Sequence, residues 1–280
     1  MGIDLMEAAE GIIKIVNESM FGALRLVSVE QGYDPRDFAF VGFGGAGPLH
    51  ANALGILTDA WPVIIPPGPG VLCAYGDATT QVQDEAARTY LTMADDLSDE
   101  QLAADLFELQ TRAGEALIVD NIPASDHEVS YQADLRYAGQ AFQITINFTE
   151  AELKEKGVAL LTDQFDAEHE QLFTFKLGDG HEILMIRAVA KAKAKAIAER
   201  QIGQTGLTLP ECKIADSRFY FEGEWHEVGI YDRTKLSTGF EVPGPAIVSE
   251  MDSTTVVLPG FFAEVDTVGN LLINPVKRGK

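Results

Sequence analysis

A stretch of small residues near the start of the chain is the strongest candidate for a site that does chemistry. It reads GFGGAGPLHA, residues 42–51, and continues the apolar run DFAFVGF, residues 37–43. Glycine is used where the backbone turns with a positive φ or approaches another group closely. A strand that ends in such a bend ahead of a helix leaves room, and backbone N–H groups, for a phosphate or a flat ring. A tight turn with close helix–strand packing explains the same glycines equally well.

The letters GFGGAG fit the frame G-x-G-x-x-G, but the frame alone is a weak signal. A dinucleotide-binding unit also needs an acidic residue about 20 positions further on, at the end of a second strand. Here Asp59 comes before the next apolar run instead of after it. The phosphate-loop pattern GxxxxGK[ST] does not occur in the sequence, which excludes a P-loop nucleotidase.

Other nucleophiles and acid–base groups form no complete catalytic pattern. The sequence contains no GxSxG, no HExxH and no paired-carboxylate signature, so the catalytic residues stay unknown. His169 lies between Phe165 and Phe173 in a helical segment, where a histidine is usually buried and hydrogen-bonded. Cys73 and Cys212 are too isolated for a zinc site or a disulfide framework. We therefore predict no metal site on this chain and a reducing compartment, the cytoplasm.

The charge balance excludes two classes of partner. With 43 acidic and 21 basic residues the net charge is −22, whereas nucleic acids and anionic membranes attract clustered Lys and Arg. No apolar run approaches the roughly 20 residues that span a bilayer. The opening MGIDLMEAAE lacks the basic and apolar regions of a signal peptide. We expect an acidic protein that binds neither nucleic acid nor a membrane.

The elements around the glycine bend alternate between helix and strand. We predict a helix over 5–29, a buried strand over 37–43, a helix over 48–57 and a short strand over 62–67. A second glycine turn at 68–70 leads into another helix. This alternation is typical of an α/β fold and places the bend at the end of a strand. The first helix has an apolar stripe that we predict to be core: Met6, Ala9, Ile13, Val16, Met20, Leu24 and Val27.

The middle of the chain predicts a mixed α+β region. A helix over 95–120 has Ser98 as its cap, and polar–apolar alternation around Ala138-Gly139 predicts a hairpin. A further helix begins at Thr149, three residues before Glu152. The apolar stripe of the 95–120 helix consists of Leu102, Leu106, Leu109, Ala113 and Leu117.

The segment 182–198 is rich in Ala and Lys, which suggests a helix, but its alternation favours a strand. As a strand it places four cations on one face: Arg187, Lys191, Lys193 and Lys195. From residue 200 onward short β-type runs alternate with Gly and Pro. The sequence thus predicts three regions: 1–92, 93–200 and a β-rich 201–280.

Several blocks, taken together and in order, resemble the hydantoinase A/5-oxoprolinase family, which is related to acetone and acetophenone carboxylases. The blocks are residues 8–54, residues 63–89, DLRYAGQ (134–140), FDAEHEQLFTF (165–175) and GPAIVSEMDSTTVVLPG (244–260). The resemblance implies the second half of an actin-like (ribonuclease H-like) ATPase fold, followed by mixed α+β and β-rich regions. In such folds two α/β halves close on ATP.

The resemblance also implies a nucleotide site at the bend. The residues that would face the adenosine are Gly44, Gly45, Ala46, Gly47 and Pro48. The family's glycine-rich phosphate loop, D-x-G-G-T, does not occur here, so we expect a C-terminal part or one subunit of the enzyme. ATP and Mg²⁺ are the implied cofactors, with the Mg²⁺ ligands mostly on the missing N-terminal half. We expect the isolated chain to turn over little or no ATP.

The implied activity is ATP-dependent opening of a cyclic amide through a phosphorylated amide oxygen. Two alternatives stay open: a subunit of a ketone carboxylase, and a non-catalytic assembly module. The implied partners are the missing half, a hydantoinase B-like subunit and a small cyclic amide, in an oligomer. Two positions depart from the family, with Cys73 where serine is common and Thr174 where glycine is usual. Arg136, Tyr137, Gly139 and Gln140 belong to a family block whose role the sequence does not define.

Overall fold

The structure is a computed structural model, and it describes residues 2, 4–194 and 201–276. In these residues the protein is mixed α/β, with seven α-helices and three sheets. None of the helices in this part of the chain is long and apolar enough to cross a membrane.

The helices and strands follow one another along the whole chain. The helices are α1 (Leu5–Val27), α2 (Gly47–Thr58), α3 (Leu72–Thr79), α4 (Asp99–Val119), α5 (Glu150–Lys156), α6 (Ala159–Phe173) and α7 (Leu209–Cys212). The strands are β1 (Phe40–Val41), β2 (Val63–Ile65), β3 (Gln83–Met93), β4 (His127–Tyr137), β5 (Ile144–Phe148), β6 (His181–Ala192), β7 (Lys213–Phe221), β8 (Glu224–Asp232), β9 (Glu241–Pro243), β10 (Ala246–Ser249), β11 (Thr254–Val257), β12 (Phe261–Val265) and β13 (Leu271–Pro275).

The chain forms two compact units. The split unit comprises Met1–Thr79 and Ile197–Lys280, and the central unit comprises Thr80–Ala196. The predicted division into three regions stays a prediction about domains. The contacts add that the two ends of the chain share one unit, because β2 pairs with β13 across about 200 residues of sequence. No local pattern signals a pairing over that separation.

The split unit contains two sheets. One has the order β1-β2-β13-β12-β9 and the other the order β11-β10-β8-β7. β1 and β2 are parallel, and α2 supplies the crossover that parallel neighbours require. The bend predicted from the sequence therefore lies where β1 ends and α2 begins. Both sheets contribute to one apolar core, which includes Ala51, Val63, Ile65, Val242, Val248, Val257, Ala263 and Ile273.

The central unit has one antiparallel sheet with the order β3-β6-β4-β5. α4 lies against β3 and β6, and α6 lies against β4 and β5. The Ser98 side chain caps α4 by accepting from the N–H of Gln101, as predicted. The predicted stripe of this helix is confirmed in full, since its five residues are its buried ones. The hairpin is also confirmed, with Gly139 at φ +87° in its turn.

Two predicted elements of the central unit differ in extent. The helix predicted from Thr149 is broken into α5 and α6 at Gly157, which has φ +61°. The side chain of Asp99 occupies the space where a Cβ on Gly157 would lie, and it accepts from the N–H of Val158 at 2.7 Å. The strand over 182–198 is confirmed as β6 up to Ala192. Lys195 lies outside the described residues, and Arg187 pairs with Asp134 at 2.7 Å.

The first helix departs most from its prediction. α1 begins where expected, with the carboxylate of Asp4 accepting from the N–H of Met6. Of the predicted core stripe, however, Ala9, Ile13, Val16 and Val27 are exposed, and the others are half-buried. The buried residue of the helix is the polar Asn17. The prediction that this stripe is core is wrong for the described chain, because few of its own elements lie against that face.

The strand predicted over 37–43 is also shorter than expected. It is ordered as β1 over only Phe40–Val41, at the edge of its sheet, and Val41 is exposed. The apolar run predicted a buried strand, but Phe40 is only half-buried and Val41 is exposed. Like α1, it is an apolar element of the split unit that the described residues leave partly open.

Candidate functional site

Two glycines of the bend have structural reasons within the chain. A Cβ on Gly42 would lie 2.7 Å from the Cβ of Ala51 and 2.8 Å from Cδ1 of Ile65, so Gly42 permits the packing of β1 against α2 and β2. Gly44 has φ +84°, a conformation that side chains disfavour. Its N–H donates to the carbonyl of Pro69 at 2.7 Å, which joins the bend to the second glycine turn.

Gly45 has no comparable structural reason. It lacks a positive φ, and a Cβ placed on it would meet only the carbonyl oxygen of Asp252, at an ordinary 3.7 Å. Gly45 and Ala46 are both exposed. The two explanations of the bend therefore separate by residue: Gly42 and Gly44 serve the fold, whereas Gly45 is small where the fold itself does not require it.

The helix that follows the bend begins without a cap. Ala46 occupies the N-cap position of α2 and offers no side-chain hydrogen bond, and Pro48 has no N–H to satisfy. The first N–H groups of a helix carry a partial positive charge and favour an anion. Gly47 and the buried Pro48 form the first turn, so the bend exposes this end of the helix beside Gly45.

The second glycine turn contacts a strand connection from the far end of the chain. Gly68 is left-handed, with φ +59°, and its N–H donates to Oε2 of Glu250 at 3.2 Å. A Cβ on Gly70 would lie 2.5 Å from the carbonyl oxygen of Asp252. Glycine at position 70 is therefore required by the close approach of Asp252.

The connection between β10 and β11 also reaches the bend. The hydroxyl of Ser253 donates to the carbonyl of Gly45 at 3.2 Å. The Oδ2 atom of Asp252 is buried and has no hydrogen-bond partner in the part of the chain that the structure describes. We call residues 42–48, 68–70 and 250–253 together the glycine junction. The contact of Ser253 with Gly45 has no local sequence signal, because 208 residues separate the two.

One residue of the glycine junction, Glu250, forms a buried ion pair with Arg233. Nη1 of Arg233 donates to Oε1 of Glu250 at 3.0 Å, and Nη2 donates to the carbonyls of Ile65 and Gly269, each at 2.8 Å. Burial raises the pKa of Glu250 even though Arg233 opposes the shift, and burial lowers the pKa of Arg233. Desolvation therefore outweighs the attraction between the charges, which is common for buried pairs. The pair fixes the end of β2 to the 250–253 connection.

A cavity of about 580 Å³ opens beside this ion pair. Arg233 and Glu250 line one side of it, and Ile202, Thr205 and Val268 line others. The guanidinium of Arg233 is already used by one carboxylate and two carbonyls, so it offers little to a ligand there. The glycine bend, and not this cavity, holds the residues that the sequence predicted.

The described residues contain no group of three or more His, Cys, Asp or Glu side chains that could hold a metal ion. Of the two carboxylates of the glycine junction, Glu250 is paired with Arg233, and the other belongs to Asp252. We therefore derive no step through a metal on this chain. Cys73 is exposed and Cys212 is buried, and the two are not bonded to each other.

Two of the quoted sequence blocks meet inside the central unit. The hydroxyl of Tyr137 donates to Oδ1 of Asp166 at 2.7 Å, and Nε2 of His181 contacts the same oxygen at 2.7 Å. His169 is fully buried. Its Nδ1 donates to the carbonyl of Phe175 at 2.8 Å, so its Nε2, 3.2 Å from the side-chain nitrogen of Gln140, accepts. His169 is thus a satisfied core histidine, as predicted.

This cluster shifts two pKa values. Burial raises the pKa of Tyr137 to about 12, and the hydrogen bond to Asp166 acts in the same direction. For Asp166, burial alone would raise the pKa, but hydrogen bonds from His181 and Tyr137 bring it below its usual value. Arg136 lies beside the cluster in an ion pair with Glu182. The contacts give Tyr137 and Asp166 a structural role, because they join the end of β4 to α6.

Two family models together match nearly the whole chain. Residues 1–86 match the family described as Hydantoinase/oxoprolinase, and residues 94–272 match the Hydantoinase/oxoprolinase C-terminal domain. An uncharacterized protein of Methanocaldococcus jannaschii is 34% identical, over 98% of this chain and 38% of that protein. The caprolactamase subunit alpha of Pseudomonas jessenii is 28% identical, over 98% of this chain and 40% of its own length.

A solved structure and a third relative extend this result. The crystal structure of the ATP-dependent caprolactamase from Pseudomonas jessenii superposes with a TM-score of 0.86 at 26% identity, over 98% of this chain and 40% of that one. The acetone carboxylase beta subunit of Xanthobacter autotrophicus is 27% identical, over 94% of this chain and 38% of that subunit. The chain thus spans about two fifths of the length of these three relatives.

Proposed function

Because the chain belongs to the hydantoinase/oxoprolinase family, we propose that it forms the adenosine-side part of an ATP-dependent enzyme that opens cyclic amides. The observation that carries the proposal is Gly45, an exposed glycine that the fold of this chain does not require. The likeness to the ATP-dependent caprolactamase supports both the nucleotide and the class of substrate, since caprolactam is a cyclic amide.

In this proposal the glycine junction is one wall of the nucleotide site of an actin-like ATPase fold. The backbone of Gly44 to Pro48 lies beside the base and ribose, where a Cβ on Gly45 would occupy the space of the ring. The uncapped end of α2 favours the negative charge of the nucleotide. Ser253 holds the carbonyl of Gly45, and the Gly44–Pro69 hydrogen bond fixes the bend to the second turn.

ATP would supply a phosphoryl group to the amide oxygen, with ADP leaving, which would make the carbonyl carbon electrophilic enough for attack by water. This chain's own residues would bind and orient the nucleoside, and this wall would exclude water from one side of it. The donors and the Mg²⁺ ligands that must neutralise the transferred group are assigned to the rest of the enzyme, beyond this chain. A hydantoinase B-like subunit is the further partner that the family resemblance implies.

A ketone carboxylase subunit is the second candidate function, and the similarity to the acetone carboxylase beta subunit favours it. The two reactions differ in what enters the product. Labelled bicarbonate is incorporated by a carboxylase, whereas an amide hydrolase releases an open amino acid and incorporates none. A non-catalytic assembly module would bind no nucleotide even in the assembled enzyme.

The substitution Gly45→Ala tests the nucleotide wall. We expect the assembled enzyme to lose at least about tenfold in ATP affinity by calorimetry, which corresponds to about 1.4 kcal/mol. The fold should be unaffected, because the new Cβ meets only one carbonyl at ordinary contact distance. Gly178→Ala is the matched control, since Gly178 is exposed and a Cβ there meets nothing. Unchanged ATP affinity in Gly45→Ala would contradict the proposal.

A further inference from the structure

Helix α1 has an exposed stripe of apolar and small residues that overlaps the predicted core stripe at Ala9 and Val16. Seven residues recur at alternating steps of four and three, which is the spacing of a helix–helix seam. We call them the α1 seam: Leu5, Ala9, Ile12, Val16, Ser19, Ala23 and Leu26. All seven are exposed, with Leu5 at 79% and Ile12 at 63%.

The opposite side of the helix is the side that packs within the split unit. Oδ1 of the buried Asn17 lies 2.8 Å from Nδ1 of His50 on α2. Near the start of the helix, Oε1 of Glu10 accepts from the N–H of Glu222 at 2.6 Å, at the end of β7. α1 thus makes polar contacts on one side, while the seven residues of the seam on the other side are exposed. Such a face normally marks an interface.

We propose that the α1 seam packs against a helix of the polypeptide that corresponds to the part of the relatives this chain does not match. That part amounts to more than half of each curated relative reported above. This inference rests on the proposed function only in assuming that such a polypeptide, joined or separate, assembles with this chain. It adds which surface of this chain the partner contacts, and that the partner contributes a helix to the contact.

The side chains of the seam fit a close helix partner. Ala9, Ser19 and Ala23 are small and allow the two backbones to approach, while Ile12 and Val16 supply the apolar area between them. The charged residues of α1, such as Lys14 and Glu18, lie on another face of the helix. No charged side chain stands in the seam, so an apolar helix face is the complementary surface.

A second copy of this chain is a less favourable partner for the α1 seam. Each copy has a net charge of −22, so two copies repel each other more than either repels a partner of smaller charge. The exposed Val41 on the edge strand β1 adds a further apolar element of the same unit that is open to a partner.

The seam variant Ile12→Gln/Val16→Gln and the control Glu18→Gln/Arg25→Gln test this surface. Both sets place two glutamines on the same helix and leave the net charge unchanged. The partner probe is the remainder of the Methanocaldococcus jannaschii relative outside the match, produced separately and mixed with the full chain without ATP. We expect binding to the original chain and the control, and at least about tenfold weaker binding by the seam variant.

Three results would overturn the inference. They are equal binding by the seam variant and the control, no binding of the probe by the original chain, and a dimer of the chain that only the seam variant dissociates in sedimentation. The thermal midpoint of the isolated chain should also be unchanged in the seam variant; a fall would show that the seam is packed within this chain. These measurements need no nucleotide, so their outcome is independent of Gly45→Ala.

Discussion

The helices α1 and α4 carry the same kind of sequence signal and end in opposite environments. Each has an apolar stripe at steps of three and four, and each begins at a side-chain cap, Asp4 or Ser98. The predicted stripe of α4 is buried in full, whereas most of the predicted stripe of α1 is exposed. α4 lies on a sheet whose strands all come from within its own unit.

The difference shows what a hydrophobic period can and cannot establish. The period identifies a face that is buried in the working molecule, but it does not identify the chain that buries it. The central unit closes its own core, so its helix stripes are satisfied locally. The split unit leaves α1 and β1 partly open, and its interior is instead crossed by a buried ion pair. We therefore expect substitutions in the two units to change stability by different amounts.

The largest effect is expected for Arg233→Ala in the interior of the split unit. The substitution leaves Glu250 in a largely buried site without its cation and frees the carbonyls of Ile65 and Gly269. We expect unfolding to become easier by about 3–5 kcal/mol, measured by urea titration of tryptophan fluorescence. Both tryptophans, Trp61 and Trp225, belong to this unit.

The control for Arg233→Ala is Arg36→Ala. Arg36 forms an exposed ion pair with Asp34 at 2.6 Å, and exposed pairs contribute about 0–1 kcal/mol. A loss of similar size in both variants would show that the Arg233 pair has no special role in the unit. It would also remove the distinction between the interior of the split unit and its surface.

The comparison of the helices is tested by Leu109→Ala in α4 against Ile12→Ala in α1. Leu109 is fully buried, so its truncation should lower the free energy of unfolding by about 2–5 kcal/mol. Ile12 is 63% exposed, and its truncation should change the stability of the isolated chain by less than about 0.5 kcal/mol. Far-ultraviolet circular dichroism in urea measures both. Equal losses would mean that α1 is packed within this chain.

The sequence predicted the local elements of both units better than their long-range contacts. The caps, the glycine turns, the hairpin and the α4 stripe are set by neighbouring residues, and the structure confirms them. The break at Gly157 was missed because it depends on Asp99, almost 60 residues earlier. The β2–β13 pairing was missed for the same reason, since its two strands come from opposite ends of the chain.

In the candidate site, too, the local features were predicted from the sequence and the long-range contacts were not. The bend itself was found from its glycines alone, and the structure explains Gly42 and Gly44 by close packing and a positive φ. The contact of Ser253 with Gly45 and the pair of Arg233 with Glu250 carry no spacing signal. The quoted family block at 244–260 contains both Ser253 and Glu250, but it does not show what either residue contacts. The nucleotide role of residues 44–48 stays a prediction.

Alkaline pH should affect the central unit through three tyrosines. Burial raises the pKa of Tyr137 and of Tyr131 to about 12, and it raises the pKa of Tyr90 further. A phenol with a raised folded pKa contributes stability that is complete below its ordinary value near 10 and is lost as the pH rises through the folded pKa. Titration of tyrosinate absorbance should show a late step, above the ordinary pKa near 10, to which these three phenols contribute.

The titration is checked by repeating it in denaturant and in Tyr137→Phe. In denaturant the late step should disappear, because the unfolded chain exposes every phenol to water. In Tyr137→Phe the late step should shrink by one phenol. A single step near the ordinary pKa in the folded protein would show that these phenols are not buried as the structure describes.

The smallest effect is expected at the end of α6. Thr174 is left-handed, with φ +67°, and its N–H donates to the carbonyl of Glu170 at 2.8 Å. A left-handed residue with a side chain is strained by about 1–2 kcal/mol, and glycine removes this strain at an entropic cost of about 0.5–1 kcal/mol. Thr174→Gly should therefore stabilise the chain by about 0.5–1 kcal/mol in thermal unfolding.

The matched control is Thr162→Gly in the interior of the same helix. There the backbone is right-handed, so glycine relieves no strain; it loses about 0.3 kcal/mol of helix propensity relative to threonine, together with the hydrogen bond from Oγ1 of Thr162 to the carbonyl of Ala159, and should destabilise the chain. Opposite signs for the same substitution would show that backbone conformation, and not loss of the threonine side chain, decides the outcome at Thr174. Because both residues belong to one helix of the central unit, the comparison does not depend on any partner that covers the split unit.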